Sequence, residues 1–162
     1  MDQDTSKPSP NLLRIVRDLA DYQFGKGVGE KLFPEDCRIE VSKRTGRPRY
    51  VYHGEKLLAT IRYPDNLLAL SLEGAERLRK ILGEDAPRVI VRKSAVEKIL
   101  KGLNPTARDL LSCSPNLRPG DEVIIEDVDG GIVAIGRAVV SSQTMRELRE
   151  GVIVKIRKVL KT

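Results

Sequence analysis

Three separated stretches in the second half of the chain decide its fold: "PNLRPGDEV" at 115–123, "GGIVAIGRAVVS" at 130–141 and "REGVIVKIRK" at 149–158. Each places branched aliphatic residues near glycine or proline, a pattern typical of short strands separated by tight turns. Asp129-Gly130-Gly131 lies between two such strands and predicts a β-hairpin. Together, these stretches predict a small, partly open β-barrel over residues 87–162.

Two short helices interrupt the predicted strands of this barrel. After a strand at "RVIV" (88–91), we predict a helix from Ala95 to Lys101 that Ser94 caps and Gly102 ends. A second helix is predicted from Ser142 to Arg149, again after a serine cap.

The first half of the chain changes from a helical to an alternating pattern. Apolar residues at helical spacing predict a helix over 11–23. Alternating residues then predict antiparallel strands, with turns at Thr45-Gly46 and His53-Gly54, before a helix from about Glu73 to Leu82. The predicted fold class is therefore α+β, with an antiparallel sheet in this half.

The domain boundaries follow from these patterns. Residues 1–10, rich in Ser, Pro, Asp and Lys, are expected to form a disordered arm. We expect the α+β domain over 11–86 and the β-barrel domain over 87–162, with "GEDAP" at 83–87 as the junction.

Charge is distributed unevenly between the two halves. The chain has 162 residues and a net charge of +6. Residues 1–86 contain 15 Lys and Arg against 14 Asp and Glu, whereas residues 87–162 contain 14 against 9, a net charge of +5. This excess predicts a polyanionic partner, with nucleic acid ahead of a membrane; the alternative is that the cations serve solubility alone.

Cellular location can be predicted from the cysteines and the apolar runs. Cys37 and Cys113 are far apart and have no nearby ligand partner, so we expect reduced, buried thiols in an intracellular protein. No run of 18 apolar residues and no cleavage signature is present. These features predict a soluble, cytoplasmic protein without a membrane partner.

Residues that could perform catalysis are few. His53 is the only histidine, and it lies in a predicted turn. Asp127 and Asp129 approach a hairpin without further metal ligands, and "GKGVG" at 25–29 follows a helix and lacks the Walker spacing. We interpret all three features as turn chemistry, and expect no catalytic residues, no metal and no cofactor.

The second half resembles a PUA domain, the RNA-binding module named after pseudouridine synthases and archaeosine transglycosylases. The resemblance rests on the 115–123 block, on Ala134-x-Gly136-x-Ala138 and on the closing Gly151-Val152-x-Val154-Lys155-x-Arg157. The first half is similar to the domain that precedes PUA in archaeal tRNA-guanine transglycosylase and archaeosine synthase, at "LADYQFGKGVGEKLFP", "SKRTGRPRYVYHGEKLLATIR" and "LSLEGAERL". The catalytic barrel of those enzymes has no counterpart in this sequence.

The resemblance implies a non-enzymatic, archaeal RNA-binding protein that recognises structured RNA, above all tRNA, in connection with tRNA modification. Aromatic residues are scarce, at 4%, which favours recognition of a helix by its backbone and shape. Two alternatives remain open. The chain could be the RNA-binding subunit of a separately encoded transglycosylase or synthase, or it could act in translation or ribosome assembly, with a ribosomal particle as partner.

The predicted contact surface surrounds Gly102. A glycine there allows close approach of RNA, and N–H groups of the loop could bind phosphate; the alternative is a plain helix-ending glycine beside a solvated strand. The predicted RNA contacts are Lys98, Lys101, Gly102, Asn104, Arg108, Lys155, Arg157 and Lys161. Secondary contacts are predicted on the first hairpin tip, at Lys43, Arg44, Arg47 and Arg49.

Overall fold

The computed structural model describes residues 10–160, and the chain divides into two compact units, Met1–Gly83 and Glu84–Thr162. The arm expected at 1–10 lies outside the described residues, except for Pro10, which begins the first helix.

The first unit is an antiparallel sheet with helices. Its elements are α1 (Pro10–Phe24), α2 (Val28–Leu32), β1 (Arg38–Val41), β2 (Pro48–His53), β3 (Lys56–Arg62), β4 (Leu67–Leu70) and α3 (Leu72–Leu82). The four strands pair with their sequence neighbours, in the order β1-β2-β3-β4. This arrangement confirms the predicted α+β class and the antiparallel sheet.

Helices and sheet of the first unit share one apolar core. Val16 of α1, Leu32 of α2 and Leu78 of α3 are fully buried, as are Leu58 and Leu68 of the sheet. Glycine is required where helices approach backbone closely. A Cβ at position 29 would collide with the carbonyl oxygen of Arg17, and a Cβ at position 74 would collide with that of Leu58.

The second unit contains a mixed five-stranded sheet. Its elements are β5 (Arg88–Val91), α4 (Val96–Leu100), β6 (Leu110–Cys113), β7 (Glu122–Glu126), β8 (Ile132–Ala138), α5 (Ser142–Glu147) and β9 (Val154–Val159). The strand order is β6-β5-β7-β8-β9. Only the β5–β7 pair is parallel among the pairings that the structure describes, because α4 and β6 intervene between these two strands in the chain.

Small residues of β8 allow β9 to approach. Ala134 and Ala138 are buried, and a Cβ at position 136 would collide with the carbonyl oxygen of Lys155. The pairing of β8 with β9 shifts register between Ile135 and Gly136. The Ala-x-Gly-x-Ala motif therefore serves close packing of the last strand.

The 115–123 block joins two elements of this unit. Ser142 at the start of α5 accepts a hydrogen bond from Leu117 N and donates one to Ser114 O, both at 2.7 Å. Gly120 has φ of +92° and donates to the carbonyl of Ala138 at 2.7 Å. The block thus connects α5 with the end of β8.

Two local predictions were wrong. Ser94 is not a helix cap, because Lys93–Ala95 forms a 3₁₀ turn that precedes α4. Its first bond, Ala95 N to Arg92 O at 2.9 Å, satisfies a donor that a cap would otherwise serve. The helix predicted to reach Arg149 ends at Glu147.

Candidate nucleic-acid interface

The loop that follows α4 begins with a glycine-terminated helix end. Gly102 has φ of +93°; its N–H donates to Ile99 O at 2.8 Å, and the N–H of Leu103 donates to Lys98 O at 3.0 Å. This pair of bonds is a Schellman motif. The N–H groups of Gly102 and Leu103 are therefore already used within the chain, whereas phosphate binding by the loop stays a prediction.

Space remains at Gly102. A Cβ built there meets no atom within 4 Å, so the glycine faces open surroundings and is required within the chain by its backbone conformation alone. Lys101 beside it is 70% exposed, and its Nζ lies 3.4 Å from Glu97 Oε1, itself 85% exposed. An exposed pair of this kind contributes little, so Lys101 is available to an anion.

Hydrogen bonds connect this loop to β9 and to the residues before it. Asn104 Oδ1 accepts from Ile156 N at 2.9 Å, and Pro105 O accepts from Ile153 N at 3.1 Å. Thr106 forms an isolated antiparallel bridge with Val152. The loop and β9 are consequently parts of one surface.

Lys98 is committed to an internal ion pair. Its Nζ lies 2.6 Å from Asp109 Oδ2, and the same oxygen accepts from Thr106 N at 2.8 Å. Burial raises the pKa of Asp109, but the hydrogen bonds from Lys98 and Thr106 outweigh that effect and hold the pKa below its ordinary value of 3.8. The structure therefore gives Lys98 a role in holding the loop.

Two predicted arginine contacts also have carboxylate partners. Arg157 donates from Nη2 to Oε2 of Glu122, whose side chain is 2% exposed. Arg108 Nη2 lies 3.4 Å from Glu150 Oε2, and both of these side chains are more than 70% exposed. Arg157 thus neutralises a buried acid, whereas the weak Arg108 pair leaves its guanidinium accessible.

Lys155 is an exposed cation of β9. No carboxylate lies within ion-pair distance of it in the part of the chain that the structure describes. Lys158, which the sequence interpretation omitted, is exposed in the same way on that strand. Lys161 lies outside the described residues. Lys101, Gly102 and Lys155 therefore form the edge that we name the loop–β9 edge.

The hairpin tip of the first unit holds a separate cationic cleft. We name it the arginine cleft; it is lined by Arg44, Arg47, Arg49 and Arg62, among others, and has a volume of about 460 Å³. Lys43 does not line it. Sequence reasoning missed Arg62 because its contribution depends on the pairing of β3 beside the hairpin.

Aromatic rings lie on the same sheet. The rings of Tyr50 and Tyr52 are 6.4 Å apart, and the Arg38 guanidinium lies 4.4 Å from the Tyr52 ring centre. The argument that scarce aromatic residues favour recognition by backbone and shape therefore applies to the second unit. The first unit, in contrast, carries a surface of tyrosine and arginine side chains.

Residues considered for chemistry have structural partners. His53 Nε2 lies 2.9 Å from Asp36 Oδ1, and Arg77 Nη2 lies 2.6 Å from His53 Nδ1. Asp127 Oδ1 accepts from Asp129 N and Gly131 N, both at 2.9 Å, which is turn chemistry. Among residues 10–160, no group of three or more His, Cys, Asp or Glu is placed to hold a metal.

Both cysteines are free thiols. Cys37 is fully buried, and burial raises the pKa of its thiol to about 11. Cys113 is half-buried. No helix within the described range is long and apolar enough to span a bilayer.

Family models match both units. Residues 14–85 match the patch-forming domain C2 of tRNA-guanine transglycosylase, and residues 87–160 match the PUA domain. The protein is a PUA-domain protein with a C2 domain before it. The resemblance proposed from the sequence is therefore confirmed for both halves.

Relatives of this PUA-domain protein include archaeal tRNA-guanine(15) transglycosylases. The chain is 43% identical over 143 residues to that of Methanothermobacter thermautotrophicus, which covers 88% of this chain and 22% of the relative. It is 38% identical over 148 residues to that of Pyrococcus furiosus, with 91% and 25% covered. The match lies in the C-terminal region of these enzymes, and the chain spans about a quarter of their length.

Solved structures support the fold. A hypothetical protein from Pyrococcus horikoshii superposes with a TM-score of 0.73 at 20% identity, covering 96% of this chain and 94% of that one. A PUA-domain structure from Aeropyrum pernix gives a TM-score of 0.70 at 16% identity, covering 96% and 85%. At these identities the likeness shows the fold of the PUA-domain protein.

Proposed function

We propose that the protein binds structured RNA in the cytoplasm, that the RNA is tRNA, and that it acts as a binding module and not as an enzyme. The relatives are named for action on tRNA, and the chain corresponds to their C2 and PUA domains. Because the chain spans only about a quarter of those relatives, their reaction is not carried over to it.

The observation that carries this proposal is the loop–β9 edge. Asn104 and Pro105 accept hydrogen bonds from Ile156 N and Ile153 N, which hold the loop against β9 and the residues before it. Connected backbone therefore presents Lys101 and Lys155. Gly102 leaves open space beside Lys101. An edge that hydrogen bonds hold together, with accessible cations and open space at Gly102, suits the phosphate and ribose groups of an RNA helix.

Binding at this edge is expected to depend on phosphate contacts more than on bases. Lysines act on phosphates as point charges, and lysine is the cation both directly before Gly102 and at position 155 of β9. The edge should therefore position RNA by its backbone and shape, which is how helical RNA is commonly recognised.

A second candidate function follows from the domains of the relatives that the chain matches. The match to the transglycosylase of Methanothermobacter thermautotrophicus includes 88% of this chain but only 22% of that enzyme. Because the matched domains are the C2 and PUA domains of a tRNA-modifying enzyme, the second candidate is an RNA-binding subunit that works with a separately encoded enzyme of this kind.

The test is ultraviolet crosslinking in cells that express the tagged protein, followed by sequencing of the bound RNA and mass spectrometry of co-purified proteins. We expect tRNA to be enriched in the wild type, and to be lost in a Lys101→Ala/Lys155→Ala variant. Lys80→Ala serves as the control, because Lys80 is an exposed lysine of α3 in the other unit.

The possible results separate the candidates. Enrichment of tRNA without a stoichiometric partner supports the free-standing module, whereas a modifying enzyme that co-purifies in equal amount supports the subunit. Recovery of no RNA above the untagged control, or of ribosomal RNA alone, contradicts the proposal.

A further inference from the structure

The arginine cleft has the properties of an anion site that is separate from the loop–β9 edge. Arg44 and Arg47 reach it from the β1–β2 turn, Arg49 from β2 and Arg62 from the end of β3. Four arginine residues thus line one open volume of about 460 Å³, formed within the first unit alone.

No carboxylate of the described residues neutralises these arginines. Among residues 10–160, none of the four forms an ion pair. Glu40 instead forms an ion pair with Arg38, in which Glu40 Oε1 lies 2.7 Å from Arg38 Nη1. Arg62 is also half-buried, so its charge has lost part of its water. Like charges gathered around one cleft repel each other, and a bound anion would relieve that repulsion.

Backbone and aromatic contacts hold the cleft in shape. Tyr63 donates from its hydroxyl to Pro48 O at 2.8 Å, and the Arg47 guanidinium lies 5.3 Å from the Tyr63 ring centre. Ser42 N donates to Arg47 O at 2.8 Å across the turn, and Gly46 adopts φ of +71° within it. The cleft is therefore formed before any ligand arrives, which lowers the entropic cost of binding.

Guanidinium chemistry decides the class of ligand. A planar guanidinium presents paired donors that match the oxygens of a phosphate. Thr60 lines the same cleft and carries a hydroxyl. Several arginines with no acid among them favour a ligand with more than one negative oxygen, and disfavour a neutral or cationic one.

We propose that the arginine cleft is a phosphate-binding site, and that the phosphates it binds belong to the backbone of the RNA that the loop–β9 edge also contacts. The assignment to RNA rests on the proposed function. The phosphate site itself rests on Arg44, Arg47, Arg49 and Arg62 alone.

The test of the phosphate site uses inorganic pyrophosphate as the probe, titrated into the full chain and followed by NMR of the backbone amides. We expect the signals of residues 42–49 and 60–63 to shift. The double variant Arg47→Gln/Arg62→Gln should weaken pyrophosphate binding about tenfold or more, because each charged hydrogen bond it removes is a strong one.

A matched control is available on α1. Arg14 is exposed and lines a different cleft, which contains Asp18, Asp21 and Glu30. Arg14→Gln removes one positive charge, as each of the two substitutions in the double variant does, and it should leave pyrophosphate affinity unchanged. Equal weakening in the control and the double variant, or shifts spread over all cationic positions, would overturn the site.

A second arm tests the source of the phosphate. With a tRNA transcript, the double variant Arg47→Gln/Arg62→Gln should lose about tenfold in affinity and show a log–log salt slope shallower by roughly one to two. If pyrophosphate binds the cleft while tRNA affinity is unchanged, the assignment to RNA is overturned, and a free phosphate compound is the ligand.

This design separates the two proposals. The Lys101→Ala/Lys155→Ala variant should retain the pyrophosphate shifts at 42–49, because the two lysines belong to the other unit. If the lysine variant keeps full tRNA affinity while Arg47→Gln/Arg62→Gln loses it, RNA binding at the loop–β9 edge is contradicted and RNA binding at the arginine cleft is supported.

Discussion

Asn104 connects the loop after α4 to the last strand, because its Oδ1 accepts a hydrogen bond from the backbone N–H of Ile156 at 2.9 Å. The two residues are 52 positions apart in the chain. Asn104 was predicted from the sequence to touch RNA, and the structure shows that its side-chain oxygen also supports the loop–β9 edge from within.

Replacing Asn104 by alanine should destabilise the protein and weaken RNA binding together. The N–H of Ile156 would lose its acceptor, which costs about 1–3 kcal/mol where the group is shielded from water. Urea unfolding and tRNA affinity measure the two effects. Asn104→Asp is the control, since it keeps the acceptor and adds a negative charge: it should preserve most of the stability and still reduce affinity. If Asn104→Asp lost as much stability as Asn104→Ala, the result would contradict this account.

Gly102→Val should lower tRNA affinity by more than its unfolded fraction explains. A β-branched residue at φ of +93° is strained, and we expect a loss on the order of 1–2 kcal/mol in the free energy of unfolding. Gly83→Val is the matched control, because Gly83 also follows a helix, has φ of +57° and has open space around its Cβ position. Thermal midpoint and affinity are measured for both. Equal affinity in the two variants after correction for unfolding would show that Gly102 only ends a helix.

Asp109 should make part of the stability depend on pH. Its pKa is held below the ordinary 3.8 in the folded chain, so the unfolded state binds the proton more readily. The contribution is therefore present at neutral pH and is lost as the pH falls from the ordinary value through the folded pKa. Asp109→Asn should have a lower free energy of unfolding than wild type at neutral pH. The difference between the two proteins should decrease as the pH falls through that range, as measured by urea unfolding. A gap that does not change with pH would contradict the Lys98–Asp109 pairing.

The two thiols should react at very different rates. Cys37 is fully buried with a pKa raised to about 11, so very little of it is thiolate at about pH 8. Cys113 is half-buried and should be alkylated by iodoacetamide first, as followed by mass spectrometry of peptides. In urea the rates should converge. Similar rates in the native protein would show that the core around Cys37 opens readily.

Much of the architecture could be predicted because local chemistry determines it. The turn at Asp127–Gly131, the cap at Ser141 and the antiparallel hairpins of the first unit depend on residues close in sequence. The strand β6 was missed, since Leu110–Cys113 has only four residues and no alternating pattern. Its assignment depends on pairing with β5, a contact that sequence periodicity does not contain.

The candidate site was predicted less completely, because the state of a charge depends on its partners in space. Lys98 and Arg157 are cations in the sequence, but the fold pairs them with Asp109 and Glu122. The arginine cleft shows the reverse case, in which Arg62 joins a hairpin tip from another strand. Residue type alone therefore indicated the basic surfaces but not which cations are free to bind.

The most direct test of the central claim is the salt dependence of tRNA binding, measured by fluorescence anisotropy for the wild type and for Lys101→Ala/Lys155→Ala. If the protein neutralises about four phosphates, the plot of log affinity against log salt should have a slope of roughly −3 to −4 for the wild type. The double variant should give a slope shallower by roughly two and a lower affinity at every salt concentration. A flat response in the wild type, or identical slopes in the two proteins, would contradict RNA binding at the loop–β9 edge.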